Sequence, residues 1–102
     1  MNNTRKKWTI EEDIACCNAC IDSYVIEHSS MERERFVDKV SSMPQFAGRD
    51  KSSVRMRIQN VKALLEEMHI ENSLPIRPLA DAAKQTRETL KTLLQERGII
   101  QP

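Results

Sequence analysis

The sequence predicts a small all-α domain, and three observations carry that expectation. There are only two glycines in 102 residues. β-Branched runs of the kind strands need are nearly absent. Four segments place apolar residues at helical spacing, each bounded by a cap or a breaker. At this length one domain is expected, with room for an appended helix. Four aromatic residues (Trp8, Tyr24, Phe36, Phe46) leave a core that must be largely aliphatic and methionine.

The first helix is expected to open at Thr9, because Thr9 and Glu12 have the spacing of a capping box and Glu11, Glu12 and Asp13 suit a helix N-terminus. Ile14, Cys17, Ile21, Tyr24 or Val25, and His28 then follow a helical stripe. A second helix is expected from Ser29, with Glu32 completing a second capping box, a core side of Phe36, Val37, Val40 and Met43, and a stop at Pro44. The turn through Gly48 leads to Asp50, a good N-cap for a third helix running to about His69. Its core stripe is Val54, Ile58, Val61, Leu65 and Met68. After the breaker stretch from Asn72 to Pro75, Pro78 suits the first turn of a fourth helix that ends before Gly98. Leu79, Ala83, Thr86, Leu90, Leu93 and Leu94 give that helix a thin apolar stripe, expected to pack on the core or to pair with a second copy. The organisation read from this is a basic arm (1–8), a three-helix domain (9–69), a linker (70–77), a C-terminal helix (78–97) and a tail (98–102).

Net charge is +1, from 16 basic and 15 acidic residues, so global charge does not impose a nucleic-acid partner. Its distribution is more informative. Two basic blocks, at 1–10 (+3) and 49–62 (+4), flank an acidic stretch at 11–48 (−5). On a helical wheel, Arg55, Met56, Gln59 and Asn60 lie away from the core stripe of the third helix, with Lys51 and Lys62 on one flank and Arg57 on the other. Arginine pairs with guanine and Gln or Asn with adenine, so this face carries the donors that major-groove reading uses. A solvated helix surface has the same composition.

Trp8-Thr9-Ile10-Glu11-Glu12-Asp13 resembles the opening of Myb/SANT domains, and Gly48-Arg49-Asp50 with Val54-Arg55-Met56-Arg57-Ile58 resembles their turn and third helix. The resemblance covers roughly residues 6–66. Ser53-Val54-Arg55-Met56-Arg57-Ile58-Gln59-Asn60-Val61 is also similar to a motif in domains N-terminal to bacterial HNH nucleases. Both resemblances imply a three-helix, helix-turn-helix domain. Of the three spaced tryptophans of Myb repeats, Trp8 matches the first, Phe36 is a candidate for the second, and Ile58 replaces the third. The resemblance implies double-stranded DNA as partner, with base contacts from Arg55, Met56, Gln59 and Asn60. Phosphate contacts are expected from Lys6, Lys7, Arg49, Lys51, Arg57 and Lys62. SANT relatives also bind proteins, so a protein-binding adaptor or inhibitor is the rival reading. One continuous positive face from Lys6 to Lys62 would suit DNA, and a broken face would suit the adaptor.

No phosphate loop, paired-carboxylate motif or nucleophile signature occurs, and the HNH catalytic part is missing, so no catalytic role is expected. Cys17 and Cys20, or Cys16 and Cys20, have the spacing to chelate a metal from one helix face, but zinc wants four ligands and only His28 is near in sequence. They are expected to be helix-packing thiols, with no cofactor and no metal. An odd, clustered set of cysteines, no secretion-like apolar run after Arg5-Lys6-Lys7 and no membrane-length apolar stretch point to a reducing, cytoplasmic setting.

Overall fold

A computed structural model of the chain describes residues 7–102. Among them are four α-helices and no strand: α1 (Ile10–Cys20), α2 (Arg33–Ser41), α3 (Lys51–Glu67) and α4 (Lys84–Glu96). The Thr9–Glu12 capping box forms in full. The Thr9 hydroxyl accepts from the Glu12 amide (3.1 Å) and the Glu12 carboxylate accepts from the Thr9 amide (2.9 Å).

Beyond Cys20 the first helix widens into a π-helical stretch, Ile21–Ile26. The buried residues show why. Asp13, Cys17 and Ile21, and likewise Cys16, Cys20 and Tyr24, recur every four positions. On an α-helix each such step drifts about 40° around the axis. A wider turn offsets that drift and keeps Tyr24 on the core side, where its ring meets Phe36 edge-on at 4.7 Å and its hydroxyl donates to the Met31 carbonyl. His28, expected on the apolar stripe, is instead an exposed residue with φ of 50° just past this helix.

The second helix starts later than expected. The Ser29 hydroxyl accepts from the Met31 amide two residues on, a local turn that competes with helix initiation. Glu32 is the N-cap of α2 and makes no side-chain cap bond, so the second capping box does not form. A short 3-10 turn, Pro44–Phe46, then buries Phe46 and leads to Asp50 at the N-cap of α3.

Val54, Ile58, Val61 and Leu65 are all buried, as their spacing predicts, and Leu64 joins them. The helix closes in a Schellman arrangement: His69 N–H donates to Glu66, Ile70 N–H donates to Leu65, and His69 takes a left-handed φ of 59°. α4 closes in the same way around Gly98, where φ is 73°.

The fourth helix begins at Lys84, six residues after the expected Pro78. Residues 70–83 run as a strap along α3 instead. Leu74 and Ile76 are buried, the Leu79 amide donates to the Gln59 carbonyl, and Asp81 has a left-handed φ of 67° that interrupts any helix there. α4 packs most extensively on α1 and runs parallel to it. Gln85 and Thr86 meet Asp13 at one end, and Arg97 meets Asn18 and Asp22 at the other. Leu90 and Leu94 are wholly buried, so the helix closes the core, whereas Leu79 and Ala83 of its expected stripe are exposed.

Candidate functional site

The residues expected to read or grip DNA fall into three groups around α3. The first is buried. Arg57 lies alongside the α1–α4 contact with only 11% of its side chain exposed, 3.6 Å from the wholly buried Asp13. Arg57 also donates to the Thr86 hydroxyl, which in turn donates to Asp13 at 3.1 Å. Gln85 donates to the other Asp13 oxygen at 2.7 Å and to the Trp8 carbonyl at 2.8 Å. Ala83 cannot cap α4 with a side chain, and the Asp13 carboxylate places negative charge close to that helix N-terminus.

Arg49 belongs to the same assembly. It makes a two-pronged bond to Glu12, at 3.0 and 2.9 Å, and donates to the Lys7 carbonyl. Burial pushes the Glu12 carboxyl upward, but the hydrogen bonds from Arg49 and Thr9 outweigh it and hold Glu12 below the usual range. Both guanidinium groups approach the Trp8 ring, Arg49 at 4.7 Å and Arg57 at 4.4 Å from its centroid, and Phe46 packs on it at 5.4 Å. Trp8 is half-buried at the edge of the core, against α3 and the 3-10 turn.

The second group faces α2. Arg55 donates to Glu34 at 3.0 Å, and Lys51 lies 2.5 Å from Asp38 and 3.7 Å from Glu34. The Arg55 hydrogen bond is the main reason the Glu34 carboxyl sits below its ordinary range, and the Asp38 hydrogen bond is the main reason Lys51 sits above its own. All of these side chains remain substantially exposed.

The third group holds the strap. Gln59 donates to the Arg77 carbonyl (3.2 Å), Asn60 to the Leu79 carbonyl (2.8 Å), and Lys62 to the Asn72 side chain (3.0 Å) while pairing with Glu66. Of the base-contact candidates, Met56 alone is largely free, at 51% exposure. Lys7 is exposed, and Lys6 lies outside the described residues. The positive face expected along 49–62 is therefore interrupted by Glu34, Asp38 and Glu66. Nothing in the spacing of Gln59 or Asn60 foretells their use on the strap, because their partners lie 18 and 19 residues further along.

The three cysteines are buried as free thiols. Contact with Cys20 and burial raise the Cys16 thiol well above its ordinary range, and burial does the same for Cys17. Thiols held this way are poor nucleophiles and poor metal ligands at neutral pH. Among the described residues no group of His, Cys, Asp and Glu has the geometry to hold a metal ion, and no helix is long and apolar enough to cross a membrane.

The open surface lies elsewhere. Between α1 and α4 runs a groove of about 610 Å³ floored by Ile10, Ile14 and Leu93 and edged by Lys84, Glu88 and Glu96. Ile10 and Ile14 are 56% and 37% exposed and lie together on this floor. No family model, curated protein or solved structure matches the chain.

Proposed function

We propose that this chain is a protein-binding module, a Myb/SANT-like three-helix unit over 9–69 closed by a fourth helix, and that it engages its partner through the outer surface of α1 and α4. The observation that carries this reading is the redistribution of roles around α3. Arg49, Arg55, Arg57, Gln59, Asn60 and Lys62 each hold another part of the chain, while two exposed isoleucines, Ile10 and Ile14, sit together in the α1–α4 groove. Interface cores are depleted in charge and enriched in such apolar groups, with a polar rim around them.

The DNA reading retains one specific observation in its favour. Ser52 and Met56 face outward on the first turns of α3, and the Lys51 and Arg55 ion pairs beside them are exposed enough for phosphate to compete. Fluorescence anisotropy with a random duplex across a salt series separates the two. The protein-binding reading expects no titratable binding even at low salt. Saturable binding whose affinity falls steeply as salt rises would restore the DNA reading.

A further inference from the structure

We infer that the occupant of the α1–α4 groove is a second copy of this chain, docked about a two-fold axis with the two α4 helices antiparallel. This rests on the protein-binding reading and names its partner. The groove follows the whole of α4, because its lining residues recur along that helix from Lys84 to Glu96, a length of about 20 Å. Thr89 and Thr92 lie at its middle and are small enough to let another helix approach closely.

The charge layout selects both the partner and its orientation. On α4 the charged groove residues are Lys84 near the start, Glu88, and Glu96 at the end. Antiparallel helices centred on Leu90 bring Lys84 of each protomer opposite Glu96 of its partner, and Glu88 opposite Thr92. A slip of one turn in one direction sets Glu88 against its own copy. A slip in the other direction sets Glu88 against Glu96. Parallel pairing opposes every like charge. One register therefore satisfies the groove, and a patch complementary to itself under two-fold rotation is what an isologous interface requires. The same docking covers Ile10 and Ile14, which a lone chain leaves 56% and 37% exposed, and the partly buried Leu93, from both protomers.

The test is sedimentation equilibrium on the full chain from micromolar to millimolar concentration. Lys84 and Glu96 are exposed and contribute nothing to the core, so at a concentration where wild type and variants are all monomeric their melting curves should coincide. Wild type is expected to dimerise. Lys84→Glu should weaken the dimer by about tenfold or more, the equivalent of roughly 1.4 kcal/mol, and the double swap Lys84→Glu with Glu96→Lys should recover most of the loss. A wild-type chain that stays monomeric overturns the inference, as does a double swap no better than the single one. Run beside the duplex titration, the two failures are distinct. A monomer that ignores DNA removes the second copy as partner and leaves the protein-binding reading standing, whereas salt-dependent duplex binding removes that reading itself.

Discussion

Arg57 and Arg55 are two residues apart on α3 and face nearly opposite ways, about 200° around the axis. Arg57 meets a fully buried carboxylate, a buried threonine hydroxyl and a tryptophan ring. Arg55 meets one half-exposed glutamate. The same contrast separates Arg49, enclosed with Glu12, from Lys51, shared between two surface acids. What distinguishes them is the neighbour. The α1 side is closed over by α4, which removes water and makes each unpaired charge costly, whereas the α2 side stays wet and screened. One basic block thus supplies both an internal cross-link and an ordinary solvated surface.

The sharpest way to break the enclosed half is at its centre. Asp13→Ala should cost about 3–5 kcal/mol, because it leaves the Arg57 guanidinium buried without its carboxylate. Chemical denaturation reads this directly, and a loss under about 1 kcal/mol would mean the network is not enclosed. Next comes Trp8→Ala, expected to cost about 2–3 kcal/mol. That is less than for a tryptophan sealed in a core, because Trp8 is only partly buried, at the margin of the core.

Acid probes both halves together. The carboxyls of Glu12 and Glu34 are held below their unfolded values, so the stability they add is complete above the usual glutamate pKa of about 4.3 and is lost as pH falls through their folded values. Molar salt should remove the Glu34 share and spare much of the Glu12 share, since exposed pairs are screened and enclosed ones are not. At the alkaline end the sign reverses. Cys16 and Cys17 are raised, so their contribution is intact below the unfolded thiol value of about 8.5 and is lost as pH rises beyond it. Melts across pH at low and high salt measure both limits.

The smallest expected effect lies at the far end of α3. His69 holds a left-handed φ that glycine adopts without strain. His69→Gly should leave stability unchanged or raise it by up to about 1 kcal/mol, and should add independently to Asp13→Ala because the two sites share no partner. A clear loss of stability would show that the His69 side chain holds the turn.

The core of α3 was legible because four apolar residues at steps of three and four admit only one buried face. The capping box at Thr9 was legible because both partners lie within one turn. The start of α4 was not, since Pro78 fits a helix N-terminus locally and only the Gln59 and Asn60 bonds to the strap, made across 18 or more residues, pull it away. The π-helical stretch left a trace in the four-residue recurrence of its buried positions. The division between enclosed and exposed cations left none, because a helical wheel locates a face but not the element that covers it.

The basic residues of α3 on the α1 side hold the fold together, and a paired melt of Arg57→Ala and Arg55→Ala in one buffer measures this. Arg57→Ala should lower the melting temperature by about 12 °C or more, since it breaks a buried pair and each kcal/mol shifts a domain of this size by about 4–8 °C. Arg55→Ala should fall within the scatter of replicate melts. Two equal, small shifts would contradict the account and return Arg57 to the solvated surface from which a phosphate contact could be made.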